Sequence, residues 1–205
     1  MQITGMLWGR KLLDLVEFPH SEVRGPELSV DEIKDMIKRH GQIFIKPLFK
    51  GGVGKKGKAG LMGRVDNITD ALKEKERLYF AEHVDGFNKV KSDGVTYEGG
   101  VPADFEVYFS ISESTEHRCP IMTVTHHGGV DIEELPEDKI KVVPFDSLTG
   151  LKAYHVSNAL MELGAPPAVI SPLVQNLPKL WDLYNNYGML MLELNPIRMQ
   201  PGKGG

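Results

Sequence analysis

The spacing of apolar residues in the first quarter of the chain predicts a helix and then a strand. Apolar residues recur every three or four positions from 30 to 37, the spacing of one helix face. Ser29 and Glu32 form a capping box, in which each side chain satisfies a free backbone donor of the other. Gly41 ends this helix, and the apolar run 43–45 predicts a buried strand.

Further along the chain, the spacing of apolar residues predicts further helices and strands. Segments 67–77 and 151–163 have helical spacing, whereas 78–81, 121–125 and 190–194 are typical of strands, and 121–125 is the expected hairpin partner of the strand at 105–111. Another helix is expected to start at Ser171 because proline at a first helical position loses no bond, and Pro178 should kink or divide that helix. The glycine-rich, polar segment 85–100 predicts a long surface loop or hairpin. Strands and helices do not alternate regularly, which favours α+β lobes over a doubly wound parallel sheet. A half-buried strand is predicted from four alternating apolar residues: Phe105, Val107, Phe109 and Ile111.

Composition narrows the class of protein without giving its function. The 205 residues are 41% hydrophobic and 25% charged, which is ordinary for a globular chain with one core or two small lobes. A net charge of -4 gives no electrostatic case for nucleic acid or an anionic membrane. The single cysteine, Cys119, excludes an internal disulfide and fits a reducing compartment. Since no signal-peptide pattern or membrane-length apolar run is present, we expect a cytoplasmic protein.

A glycine- and lysine-rich segment, residues 50–60, follows the strand that ends in Lys46. Glycines let the backbone approach a ligand, and lysines carry charge to phosphate oxygens. The segment therefore fits a basic flap over a polyphosphate, and a solvated hairpin tip fits it equally well. It is not a P-loop, because Lys58 is followed by Ala59 instead of Ser or Thr.

Two adjacent histidines, His126 and His127, precede Gly128 and Gly129. On a strand, neighbouring side chains point to opposite faces, so joint metal coordination by the two histidines is disfavoured. A tight Gly-Gly turn followed by acidic residues is the favoured interpretation.

The last strand ends in Glu193, Asn195 and Pro196. A strand end delivers a carboxylate and an amide together, and the proline is expected to terminate the ladder. Their oxygens suit Mg²⁺, which prefers hard oxygen ligands. A strand end with a polar cap is the alternative.

Taken together and in this order, four segments resemble the ATP-grasp half of the ATP-citrate lyase and succinyl-CoA synthetase family, the acid–CoA ligases. The resemblance extends from about Leu12 to Pro196. The lysine–proline pair of the first segment and the His-Gly-Gly-Val-Asp sequence of the third lean to the ATP-citrate lyase branch. The segments that carry it are 45–47, 56–60, 127–133 and 192–196.

The resemblance implies an ATP-grasp fold, an α+β architecture of two lobes with mixed or antiparallel sheets and helices and with ATP between them. Residues 22–84 would form the smaller lobe, which contains the phosphate loop 50–60. Residues 1–21 and 85–205 would form the larger lobe, which is expected to be truncated at its C-terminal end.

The resemblance also implies which residues meet the nucleotide. A strand lysine reaches the phosphates and the glycine–lysine loop covers them. A hinge segment offers mainly backbone groups to the adenine, and an acidic residue lies near the ribose. In that order, these residues are Lys46; Lys56, Gly57 and Lys58; Glu82, His83, Val84 and Asp85; and Asp104.

By the same resemblance, Asn195 binds Mg²⁺. The oxygen chemistry of the strand end makes Glu193 a second candidate ligand. The implied reaction passes the γ-phosphate of ATP to a histidine on a partner CoA-ligase half, so no catalytic residue is expected here. An acyl phosphate and then an acyl-CoA would follow, with citrate as the expected acid, cleaved through citryl-CoA to acetyl-CoA and oxaloacetate. The full enzyme would be a hetero-oligomer. The alternatives are a succinyl-CoA synthetase-like β subunit, another carboxylate–amine ligase of this fold and a non-catalytic nucleotide-binding domain.

Three departures from the family pattern stand out. His127 occupies a position where the family usually has a glutamate, and the segment between Lys46 and Gly57 is longer than in the family. The family also has a second Mg²⁺ ligand, an aspartate on a later strand, and Gly205 ends the sequence before any such strand. We therefore expect the isolated chain to be catalytically incomplete.

Overall fold

The computed structural model describes residues 5–49, 60–85, 88–129 and 132–200. Two compact units divide the chain. Unit 1 contains Met1–Asp14 and His20–Val101, and unit 2 contains Leu15–Pro19 and Pro102–Gly205.

Each unit combines antiparallel strands with helices. In unit 1 the elements are α1 (Met6–Leu13), β1 (Val23–Arg24), α2 (Val30–His40), β2 (Ile43–Phe49), β3 (Gly63–Val65), α3 (Ile68–Tyr79), β4 (Glu82–Asp85) and β5 (Asn88–Gly99). In unit 2 they are β6 (Phe105–Ser114), β7 (Cys119–Thr125), β8 (Lys141–Pro144), α4 (Ala153–Glu162), α5 (Pro167–Asn176), α6 (Lys179–Asn186) and β9 (Met191–Met199). Short 3₁₀ turns occupy Asp14–Val16, Ile132–Glu134 and Glu137–Lys139.

The sheet of unit 1 has the strand order β1–β5–β2–β3, and β4 pairs with the first part of β5. Along β2 the odd-numbered residues are buried and the even-numbered ones half-buried, so one face is apolar. That face forms one core with apolar residues of α2 and α3, among them Ile33 and Leu78. The capping box predicted at Ser29 and Glu32 is present, and Gly41 follows the helix with a φ of 73°.

Residues 88–99 form β5, a central strand of this sheet, so the surface-loop prediction was wrong for these residues. The antiparallel pairing expected of the alternative, a hairpin, is present between β4 and the start of β5. Strand β5 bonds to β4 at its start and to both β1 and β2 further on. Val95 and Tyr97 are fully buried in the core. The glycines and charged residues hid this strand, because only alternate residues of its second half face the core. Leu78, predicted to start a short strand, instead lies in the last turn of α3, which ends at Tyr79.

The sheet of unit 2 has the order β8–β7–β6–β9, all antiparallel. The predicted β6–β7 hairpin is confirmed, with its turn at 115–118. Strand β6 is central, and all its residues from 107 to 111 are buried, including Ser110. The predicted alternation is therefore present in residue type but not in burial. Apolar side chains point to one face of the strand and mostly polar ones to the other.

Three short helices complete unit 2. Gly164 follows α4 with a φ of 71°, as its position at the end of the apolar run predicts. Pro178 separates α5 from α6, so the predicted division is confirmed. The helix expected to start at Ser171 instead starts at Pro167 and contains Pro172. Pro167 has the same advantage at a first helical position, since the missing N–H would have no partner there.

The two units divide the chain at different positions from the predicted lobes. Predicted boundaries at 22 and 84 would separate α1 from β1, and β5 from the strands that it bonds. Unit 1 keeps these elements together because β5 pairs with β1, β2 and β4, and α1 packs near β1. The identification of unit 1 and unit 2 with the smaller and larger lobes stays a prediction. Within the described ranges, no helix is both long and apolar enough to cross a membrane.

Candidate functional site

Lys46 lies in the middle of β2 and forms an ion pair with Glu98 on β5. Its Nζ is 2.5 Å from a carboxylate oxygen of Glu98. The side chain of Lys46 is 30% exposed, whereas that of Glu98 is 11% exposed. The carboxylate therefore holds the ammonium group at a fixed place, and the lysine still reaches the surface of unit 1. Glu98 was missed in the sequence, although a lysine within an apolar strand needs a nearby counter-charge.

The four residues predicted as a hinge form β4, which lies within unit 1. Glu82 pairs with Lys89 at 2.7 Å, and the hydrogen bond from Lys89 holds the pKa of Glu82 below its usual value. The ring of His83 lies 6.2 Å from that of Phe49, and Val84 is exposed. Asp85 is the backbone partner of residue 88 in the β4–β5 pairing. The assignment of β4 as the hinge segment that meets the adenine stays a prediction.

The predicted phosphate loop lies outside the described residues. Lys56, Gly57 and Lys58 fall in the segment 50–59. Their assignment to the phosphates stays a prediction.

Asn195 lies in a bulge of β9, the strand beside β6. Leu194 is opposite Phe109, and the next pair is Ile197 with Val107, so two residues of β9 oppose one of β6. Pro196 therefore does not end the strand, contrary to expectation, and β9 continues to Met199. The bulge tolerates the proline because the extra residues lie outside the ladder of hydrogen bonds.

The side chain of Asn195 contacts the Gly-Gly turn that follows β7. Gly129 donates its backbone N–H to Oδ1 of Asn195 at 3.0 Å. Because a backbone N–H can only donate, this bond fixes which end of the amide is oxygen. The preceding Gly128 donates its N–H to the carbonyl oxygen of Glu106 at 2.6 Å. The predicted tight turn therefore links β6, β7 and β9.

The rings of His126 and His127 lie next to each other, with centroids 4.2 Å apart and planes tilted by 35°. The expectation that they point to opposite faces of a strand was wrong, because β7 ends at Thr125 and both histidines lie beyond it. His127 donates its N–H to the Thr125 hydroxyl at 3.1 Å. Burial lowers the pKa of His126, and the nearby His127 and Lys139 lower it further. Both effects favour a neutral ring.

Asp104, predicted near the ribose, is exposed just before β6 and donates its N–H to the carbonyl oxygen of Met199 at 3.3 Å. The ribose assignment of Asp104 stays a prediction. Among the described residues, an acidic side chain beside the Gly-Gly turn is that of Glu106, whose carboxylate is 3.0 Å from Arg198. Glu106 and Arg198 are directly opposite in the β6–β9 ladder. Opposite charges among apolar neighbours on two strands are the sequence signal for such a pair.

The oxygen donors on β9 fit a hard divalent cation. Glu193 and Asn195 are both exposed and are two positions apart in sequence, Glu193 within the ladder and Asn195 in the bulge. Among the described residues there is no cluster of three or more acidic, histidine or cysteine side chains that could hold a metal. Two protein oxygens suit Mg²⁺, which usually keeps waters and substrate phosphates as its other ligands.

Comparison with known proteins agrees with this arrangement of elements. A family model described as an ATP-grasp domain matches residues 16–199. The chain belongs to the ATP-grasp family. The fold predicted from the sequence is therefore confirmed, as is the relation to acid–CoA ligases described next.

Named relatives of this ATP-grasp chain are ligase subunits. The β subunit of succinate–CoA ligase (ADP-forming) from Desulfatibacillum aliphaticivorans is 31% identical over 179 residues, which cover 84% of this chain and 46% of that protein. The ATP-grasp chain thus spans about half the length of the curated relatives it matches.

Two solved structures share the ATP-grasp fold. ATP citrate lyase from Methanothrix soehngenii, in complex with citrate and coenzyme A, has a TM-score of 0.64 at 21% identity, covering 92% of this chain and 43% of that one. A dinucleotide-forming acetyl-coenzyme A synthetase from Ca. Korarchaeum cryptofilum, solved with coenzyme A, has a TM-score of 0.70 at 15% identity, covering 95% and 86%.

Proposed function

We propose that this chain is the ATP-binding component of an acid–CoA ligase. The observation that carries the proposal is the family match across residues 16–199, joined by a relative named as the β subunit of succinate–CoA ligase. Phosphoryl transfer from ATP to a histidine of a partner CoA-ligase half is the proposed reaction. The complete enzyme would be a hetero-oligomer, and a cytoplasmic location stays part of the proposal.

Each unit offers one part of the chemistry. In unit 1, Lys46 presents an ammonium group held by Glu98, which suits a phosphate oxygen. In unit 2, Asn195 and Glu193 present oxygens for Mg²⁺. When bound, the metal would neutralise charge on the phosphates of the nucleotide. The work of the protein is to hold these groups in place before the reaction, since phosphoryl transfer depends mainly on positioning and charge.

Citrate is the acid that we propose first, with formation of citryl-CoA and its cleavage to acetyl-CoA and oxaloacetate. Support comes from the His-Gly-Gly-Val-Asp sequence and from the shared fold with an ATP citrate lyase. Succinate is the second candidate, because succinate–CoA ligase β subunits are among the named relatives. A CoA-ligase partner that co-purifies with the native protein would permit a direct comparison of citrate and succinate as substrates.

Isothermal titration of ATP with Mg²⁺ tests the nucleotide site in the chain as it stands. We expect binding that weakens by roughly 10-fold or more in Lys46→Met and Asn195→Ala, the value of one hydrogen bond to a charged group. Lys34→Met is the matched control, since Lys34 is an exposed lysine of unit 1 paired with Asp31. Wild-type affinity in both site variants would refute the proposed site. A parallel titration with GTP would measure the base preference.

A further inference from the structure

The Gly-Gly turn after β7 contacts the proposed metal ligand directly. We propose that Gly128 and Gly129 are positioning residues, which orient the side-chain amide of Asn195 for the cation. This inference rests on the proposed function of Asn195, and it assigns to the turn a role separate from binding the nucleotide.

Gly128 lies directly against the backbone of β6. An ideal Cβ on Gly128 would lie 2.6 Å from the carbonyl carbon of Val107 and 2.8 Å from that of Glu106. Both are backbone atoms of a central strand and cannot rotate away. Together with the 2.6 Å bond from the Gly128 N–H to Glu106, this contact places the turn against β6 more closely than any other residue would allow.

Gly129 contacts Asn195 through its backbone N–H. Gly129 has a φ of 75°, in the left-handed region, and its N–H points at Oδ1 of Asn195 from 3.0 Å. The space that a Cβ of Gly129 would need is taken by the carboxylate of Glu106, which is itself paired with Arg198. The backbone conformation of Gly129 sets the direction of this N–H, and that conformation suits glycine because φ is left-handed and the space for a Cβ is occupied.

The orientation of the Asn195 amide decides whether its oxygen or its nitrogen faces a cation. Asn195 belongs to a bulge and is exposed, so the sheet does not fix its side chain. In general, rotation of an asparagine amide about its last side-chain bond exchanges the positions of its oxygen and its nitrogen. Only the oxygen can bind a cation, and an amide oxygen can accept a hydrogen bond and coordinate a metal at the same time. The Gly129 N–H selects the orientation in which the oxygen is presented.

Gly128→Ala separates this role from general packing. To reach 3.4 Å, where ordinary contact begins, the turn must retreat from 2.6 Å, by about 0.8 Å. If Gly129 retreats by the same amount, its 3.0 Å bond to Asn195 lengthens beyond the ~3.5 Å limit of a hydrogen bond. The loss of a group that orients a metal ligand typically weakens metal binding by roughly 10-fold or more. Gly164→Ala is the control for a glycine-to-alanine change in unit 2, because nothing lies within 4 Å of the Cβ that it would add.

Two measurements test the proposal. The first is hydrogen exchange of the Gly129 amide by NMR, without nucleotide: Gly128→Ala and Asn195→Ala should each speed its exchange, and Gly164→Ala should not. The second is titration of Mg²⁺ at fixed ATP, in which Gly128→Ala should weaken the magnesium-dependent part of binding roughly 10-fold and leave magnesium-free ATP binding unchanged. Adding Gly128→Ala to Asn195→Ala should then have no further effect.

The outcomes distinguish this inference from the function on which it rests. If Asn195→Ala weakens magnesium-dependent binding and Gly128→Ala does not, the positioning role is wrong and the metal site stands. An equal effect of Gly128→Ala with and without Asn195 also refutes positioning. If the wild-type chain shows no magnesium-dependent ATP binding, the proposed function fails and the inference fails with it. Faster exchange of Gly129 in that case would leave only a structural hydrogen bond.

Discussion

The ion pair between Lys46 and Glu98 makes a quantitative prediction for Lys46→Met. Removal of one partner from a buried ion pair costs about 3–5 kcal/mol, because the remaining charge has no compensation. Lys46 is 30% exposed, so water can partly solvate the Glu98 carboxylate in the variant. We therefore expect the free energy of unfolding of unit 1 to fall by about 2–3 kcal/mol.

The double variant separates the charge effect from lost packing. In Lys46→Met/Glu98→Gln no buried carboxylate remains, so most of the lost stability should return, to within about 1 kcal/mol of wild type. Lys34→Met serves as the control, since its pair with Asp31 is exposed and should contribute less than about 0.5 kcal/mol.

Native-state hydrogen exchange of the backbone amides in β2 and β5 is the appropriate assay, because it reports the unfolding of unit 1 separately from unit 2. A loss in Lys46→Met no larger than in Lys34→Met would refute the reasoning. So would a double variant that is no more stable than Lys46→Met. Either result would mean that Glu98 does not need its counter-charge.

Three further predictions concern stability. Ser29→Ala should destabilise unit 1 by about 1 kcal/mol in hydrogen exchange, because the capping box at the start of α2 is lost. His155 accepts the Lys152 N–H at 3.0 Å, and burial lowers its pKa from the ordinary 6.5. The stability that depends on its neutral ring should be complete above about pH 6.5 and fall as the pH drops toward the folded-state pKa, measured by NMR titration and urea unfolding. Gly150→Ala should cost about 1–3 kcal/mol and shift the fluorescence of Trp181, since φ is 75° and the indole occupies the space of a Cβ.

Each of these has a result that contradicts it. Wild-type exchange rates in Ser29→Ala would show that the cap does not contribute. A His155 that titrates at or above the ordinary value would remove the basis of the pH effect. Unchanged Trp181 emission together with unchanged stability in Gly150→Ala would mean that the indole can move aside freely.

The sequence was informative where local chemistry and burial agree. The helix after Ser29 has a cap, apolar spacing and a terminal glycine, and all three are present in α2. Strand β5 was not predicted as a central strand, because its sequence contains Gly94 and several charged residues although the strand is buried between its neighbours. Its burial arises from pairing with strands distant in sequence, which local composition does not record.

The candidate site was predictable as a set of residue types but not as contacts. Lys46 and Asn195 were identified from the sequence, yet the groups that hold them were not. Glu98 is 52 positions from Lys46, and Gly129 is 66 positions from Asn195. Such pairs depend on strand register. The bulge in β9 also sets the Glu106–Arg198 pairing, and a bulge has no unambiguous signature in one sequence.

The bulge in β9 gives its polar residue an unusual freedom within a sheet. Outside the bulge, each side chain of β9 is committed to one face by its place in the alternation, so its identity is constrained by what covers that face. Asn195 and Pro196 lie between two ladder pairs, so this constraint does not apply to Asn195. A substitution of Asn195 would change what this part of β9 can bind, while the apolar residues on either side of the bulge, Leu194 and Ile197, kept their partners on β6.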